Sequence, residues 1–135
     1  MKITRVLNIE DTISKHVNIC RSLGKCGIAG NIIDHTTTAL DGLAMIEKAI
    51  KEEKPYDLLV LDMYFPMAPR ERMTQSGLYV LEELKNKNIN IPVIICSSVS
   101  LCIPDVVGCI HYNEWYGDLD GDMRELIGIV RAMEG

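Results

Sequence analysis

Acidic side chains close two of the apolar runs in this sequence. Val6-Leu7-Asn8-Ile9 ends on Glu10-Asp11, and Leu58-Leu59-Val60-Leu61 ends on Asp62. Short runs of Val, Ile and Leu read as strands buried on both faces of a parallel sheet. If the two strands are neighbours, their acids gather at one carboxyl edge, where open α/β sheets bind ligands. Carboxylates held close repel one another, and a hard divalent cation with oxygen ligands relieves that repulsion. The chemistry on offer is therefore magnesium binding centred on Asp62. One acid after a strand could simply cap the next helix, but three acids at one edge favour the cation.

The elements that must position these acids alternate along the chain. A strand is expected over residues 3–9, then a helix starting at Asp11-Thr12, with Ile13, Val17, Cys20 and Leu23 inward, up to Gly24. A second strand is expected over 31–36, then a helix with Ala39, Leu43, Ile46 and Ile50 on one face, ending near Lys51 to Pro55. The strand 57–61 leads into a loop rich in Pro, Met and Arg, and a helix follows Gly77 with Leu78, Leu81 and Leu84 inward. Val93 to Cys96 and residues 107–112 read as further strands. Met123, Leu126, Ile127 and Val130 stripe a last helix capped by Asp118 or Asp120. Strict alternation implies an α/β fold: an open, doubly wound, five-stranded parallel sheet flanked by helices, as a single domain over 1–135.

Composition narrows the class. With 135 residues, 47% hydrophobic and 24% charged, the chain can bury one core and is too short for two ordinary domains. A net charge of -5 without any basic stripe argues against nucleic acid or an anionic membrane as partner. The amino terminus lacks a signal-type apolar core, and no run is long enough to span a bilayer, so a cytoplasmic location is the expectation. Five cysteines without a Cys-x-x-Cys pair suit a reducing compartment. His16 and Cys20, four residues apart on a helix, have no second pair to complete a zinc site. The glycines from Gly24 to Gly30 match no phosphate-binding loop and follow a helix rather than a strand.

In order and spacing, the motifs resemble those of response-regulator receiver domains across essentially the whole chain. Glu10-Asp11 is similar to that family's acidic pair, and Asp62, four residues before Pro66, to its phosphoacceptor and following proline. Pro92-Val93-Ile94-Ile95-Cys96-Ser97-Ser98 is similar to its fourth strand, with Ser97 at the switch hydroxyl. The resemblance implies the flavodoxin-like receiver fold and a stand-alone phosphoacceptor of a two-component phosphorelay. It implies that Asp62 takes a phosphoryl group from a histidine kinase or phosphotransfer protein and alters a surface read by a downstream protein. Mg2+ would be held by Asp11, Asp62 and the backbone carbonyl of Tyr64, with Glu10 acting through water.

The chain departs from the family in three places. The family's lysine after the fifth strand has no counterpart: Cys109-Ile110-His111-Tyr112 runs into Asn113-Glu114, and Asn113 can offer only neutral hydrogen bonds. The family's aromatic switch position falls on Ile110 or His111. The loop Met67 to Ser76 is longer than usual; a solvated, mobile loop is the expectation, against the alternative that its Arg70 or Arg72 contacts the phosphoryl group in place of that lysine. Pro104 shortens the fourth-helix region to a turn or two, so that helix is expected to be short or irregular. Trp115 and Tyr116 precede the last helix and either anchor a partner or fold back on the protein.

Two other functions compete: a receiver-like interaction module that is never phosphorylated, and an aspartyl-nucleophile phosphohydrolase. The latter needs a second acid two residues after the nucleophile, where this chain has Tyr64. The expectation is a signalling switch, not an enzyme beyond self-phosphorylation and self-dephosphorylation.

Overall fold

The computed structural model describes residues 1–134. Strands β1 (Val6–Ile9), β2 (Ile33–Thr36), β3 (Leu58–Leu61), β6 (Val93–Ser97) and β7 (Gly108–His111) form one parallel sheet in the order β2-β1-β3-β6-β7. Helices α1 (Ile13–Lys25), α2 (Ala39–Lys51), α3 (Ser76–Asn86) and α4 (Leu119–Ala132) cover it. The five-stranded, doubly wound α/β architecture is the one expected.

Strand alternation sorts the core into two layers. Leu7, Ile9, Leu59, Leu61 and Ile95 point toward α2 and α3, whereas Val6, Leu58, Val60, Ile94 and Cys96 point toward α1 and α4. All four residues of β1 and of β3 are buried, the pattern of central strands covered on both sides. The chain leaves β1 for β2 on one side and reaches β3 on the other, so the crevice at their carboxyl ends is a topological switch point.

Several helix faces differ from expectation. On α1 the buried residues are Lys15, Ile19, Ser22 and Leu23, while Ile13 is 61% and Val17 46% exposed. The helix is rotated because Lys15 is drawn inward by charge. On α2, Gly42 and Ala49 join Ala39, Leu43 and Ile46, and Ile50 is exposed. On α3, Val80 and Leu84 are buried and Leu78 is exposed, because the close approach of Gly77 to the end of β3 fixes the helix's orientation. Asp118 is the cap of α4, its Oδ1 accepting from Gly121 N at 2.9 Å.

The long loop after β3 folds back on itself. Phe65–Pro66 (β4) and Met73–Thr74 (β5) pair antiparallel, and Ser76 Oγ donates to the Phe65 carbonyl at 2.6 Å. Residues 98–107, between β6 and β7, contain no helix at all. Leu101, Ile103 and Val106 pack from that segment onto the core. An open groove of about 1130 Å³ lies beside it, bordered by Leu81, Ile91, Ile103 and Met133 among others. No helix among the described residues is long and apolar enough to cross a membrane.

At the opposite edge, Tyr56 donates from its hydroxyl to Asp34 Oδ2 at 2.7 Å, and the Arg5 guanidinium lies 4.5 Å from its ring centre. Burial, then the bond to Asp34, push the phenol up to about 12. An unfolded tyrosine releases its proton near pH 10, so this stabilisation is complete below about 10 and is lost as pH climbs toward about 12. Tyr56→Phe is expected to remove that alkaline decline. Urea midpoints across the window check this, and a decline parallel to the parent protein's would contradict it.

Candidate functional site

Glu10 and Asp11 follow β1, Asp62 follows β3, and the in-register pairing of those strands brings all three acids together. Each offers a carboxylate oxygen, and the three oxygens lie within 4.8 Å of one another. Glu10 is 1% exposed and Asp62 7%, so water does little to shield their mutual repulsion. Two local bonds orient them: Glu10 Oε2 accepts from Thr12 N at 3.0 Å, and Asp62 Oδ1 accepts from Met63 N at 2.7 Å. They border a cavity of about 370 Å³ shared with Tyr64, Met73, Ser98 and Tyr112.

A cation is already among them. Lys15, in the first turn of α1, places its Nζ 2.8 Å from Glu10 Oε1 and 3.2 Å from Asp62 Oδ1, and donates to the Cys96 carbonyl at 2.7 Å. The ring of Tyr112 lies beneath, with its centre 5.3 Å from Nζ. Burial works against the ammonium's charge, but the attraction of Glu10 and Asp62 outweighs it and raises the lysine's pKa. Burial lifts Glu10 to about 7, opposed by Lys15 and reinforced by Asp62. Burial also raises Asp62, with Lys15 and the Met63 amide pulling it back down. Sequence patterning missed Lys15. The available signal was its helix position, since a cation in a first turn opposes the helix dipole and needs a local reason.

The donor set fits a hard divalent cation. All three side chains present oxygens, and among the described residues Glu10 Oε1 and Asp11 Oδ1 are buried with no hydrogen-bond partner. Glu10 Oε1 has the lysine as an ion-pair partner, while Asp11 takes part in no ion pair among the described residues. Asp11 therefore carries the oxygen most in need of a cation. Tyr64 borders the same cavity, and its hydroxyl accepts from Gln75 Nε2 at 2.9 Å.

The other sequence candidates fall in different places. Ser97 ends β6, is buried, and accepts from Val99 N at 3.2 Å. Asn113 borders the cavity, but its Oδ1 accepts from Trp115 N at 2.8 Å and Tyr116 N at 3.1 Å, so it shapes a turn. The residue directly after β7 is Tyr112, whose hydroxyl accepts from Asn18 Nδ2 at 2.8 Å. Arg70 and Arg72 are exposed between the paired strands β4 and β5, border no part of the cavity, and make no ion pair among the described residues. The backbone of Arg70 is left-handed (φ 69°) in the turn between them. Ile110 is buried in the layer under α1 and α4, and the exposed His111 places its Nε2 3.0 Å from the Ser98 carbonyl. Trp115 and Tyr116 are 84% and 78% exposed, so they do not fold back. His16 stacks on His35 at 3.6 Å between ring centres and contacts Cys20, but among the described residues no further ligand joins them. All five cysteines are free thiols, and burial pushes Cys96 up to about 12.

No family model matches the sequence. A comparison with curated proteins likewise finds no match. Solved structures do match. The signal receiver domain of a putative LuxO repressor protein from Vibrio parahaemolyticus superposes with TM-score 0.68 at 21% identity, over 96% of this chain and 92% of that one. A LuxR-family DNA-binding response regulator from Staphylococcus aureus gives 0.63 at 20% identity, over 95% of this chain and 98% of that one. The phosphorylated cyanobacterial phytochrome response regulator RcpA gives 0.61 at 18%, over 95% and 91%. The chain has the receiver fold.

Proposed function

We propose that this chain is a phosphoacceptor receiver, a single cytoplasmic unit over 1–135, in which Asp62 takes a phosphoryl group from the phosphohistidine of a kinase or phosphotransfer protein. The observation that carries the reading is a buried carboxylate cluster around Asp62 at the switch point of a receiver fold. The Asp62 side chain is 10% exposed, enough for one edge to face the cavity. In the transfer, a carboxylate oxygen of Asp62 attacks phosphorus, the P–N bond breaks, and the histidine nitrogen keeps the electron pair. The product is an acyl phosphate on Asp62.

Asp11, Asp62 and the Tyr64 carbonyl would hold Mg2+, with Glu10 behind them through water. When bound, the ion neutralises charge on the transferring group. The Ser97 hydroxyl accepts from Val99 N and donates to nothing among the described residues, so its proton is available to a phosphoryl oxygen. Drawing Ser97 toward that group perturbs the segment after β6, the switch a downstream protein would read. Beyond the transfer from phosphohistidine, self-phosphorylation from small donors and self-hydrolysis are the only reactions this scheme contains.

One observation favours a second reading, an interaction module that is never phosphorylated: a tethered ammonium already neutralises Asp62. Intact-mass measurement with acetyl phosphate separates the two. Phosphorylation requires a gain of one phosphoryl group with Mg2+, none after chelation, and none in Asp62→Asn. No gain in the parent protein would leave the interaction module standing.

A further inference from the structure

The fold leaves the site without a lysine after β7, yet an ammonium is there. We propose that Lys15, delivered from α1, is the resident cation of this site: it neutralises Glu10 and Asp62 at rest and pairs with the phosphoryl oxygens once Asp62 is modified. This rests on the phosphoacceptor reading above.

Position supports the first half. A lysine in the first turn of a helix normally extends into solvent, away from the positive end of the helix dipole. Lys15 is instead 5% exposed, with Glu10, Asp62 and the Cys96 carbonyl all within 3.2 Å of its Nζ. Burying an ammonium is costly unless anions surround it, so those acids are what hold it inside. It leaves Asp11 unengaged. Monovalent and divalent cations can therefore take different parts of one cluster: Lys15 on the Glu10 side, the ion on the Asp11 side.

The second half follows from reach. A phosphoryl group on Asp62 puts its oxygens just beyond the carboxylate that Nζ already touches, and a lysine stem has rotatable bonds enough to follow it. The ammonium keeps all its protons and only exchanges partners. Neither exposed arginine of the long loop has comparable access. Asn113 is committed to its turn.

The test is Lys15→Met, read in two ways on protein shown to be folded by circular dichroism. Mn2+ binding, measured by electron paramagnetic resonance without any phosphoryl donor, should tighten about tenfold because a competing positive charge has gone. The phosphorylated fraction at steady state with acetyl phosphate and Mg2+ should fall about tenfold because the new dianion has lost its partner. A lysine that only props the fold would, on removal, weaken both. Either that outcome or no change in either readout overturns the proposal.

A measurement on the unmodified protein guards against misfolding of the variant. The Lys15 ammonium resonance should shift when beryllofluoride, a phosphoryl mimic, is added with Mg2+. If backbone resonances around Asp62 shift and Lys15 stays put, the lysine proposal fails alone. If parent protein neither takes up a phosphoryl group nor responds to beryllofluoride, the phosphoacceptor reading fails and the proposal with it.

Discussion

Gly77→Ala is expected to destabilise the protein by about 2 kcal/mol, against the direction that helix propensity alone demands. Gly77 lies in the first turn of α3, where alanine normally gains up to about 1 kcal/mol over glycine. Here a Cβ would stand 2.5 Å from the Asp62 carbonyl oxygen and 2.8 Å from the Met63 Cα. Both are backbone atoms at the end of a central strand, and Gly77 N donates to the Met63 carbonyl at 3.1 Å. No side chain can swing aside, so either α3 or the Asp62 backbone must shift. Gly77→Val should be worse, about 3 kcal/mol or more, and should also weaken divalent binding by moving Asp62. Urea unfolding of both variants, with Mn2+ titration of whatever folds, provides the measurement. A Gly77→Ala protein as stable as its parent would mean that the approach of α3 to β3 is looser than described.

The second large effect concerns rank among the acids. Asp11→Ala is expected to weaken Mg2+ or Mn2+ binding about 100-fold or more, and Glu10→Gln only about tenfold. Glu10 has the Lys15 ammonium at 2.8 Å and the Thr12 amide at 3.0 Å, so part of its charge is already spoken for. Asp11 Oδ1 is buried with no partner. Metal-free Asp11→Ala should be no less stable than the parent protein, since one of three mutually repelling carboxylates has been removed. Calorimetric titration and metal-free urea unfolding read the two halves separately. Glu10→Gln weakening the ion as much as Asp11→Ala would reverse the ranking.

Much of this was legible because strand ends are legible. Leu58 to Leu61 has the unbroken apolar character of a central parallel strand, Val6 to Ile9 has it but for Asn8, and the acids that follow them had one place to go. What could not be read was the rotation of α1. Ile13, Val17, Cys20 and Leu23 form a plausible apolar stripe, but Lys15, Ile19, Ser22 and Leu23 face inward. Patterning assumes that buried means apolar, and it fails where electrostatics pulls a charged residue inside. Arg70 and Arg72 are a separate case, in which a loop leaving Asp62 on the carboxyl edge suggested reach back to that carboxylate. Paired strands of two residues each turn that loop outward, and elements so short leave no periodicity to read.

The stretch joining Ser97 to Gly108 has a mechanical consequence. A helical rod there would carry a tug on its first residue across the molecule as a tilt. A segment without helix is no such lever, even though Val107 N ties its far end to the Val93 carbonyl at 2.8 Å. Tension at Ser97 would be absorbed within residues 98–107, so the outward message would be a change in local order more than a displacement, and amide exchange rates would register it where superposed coordinates would not.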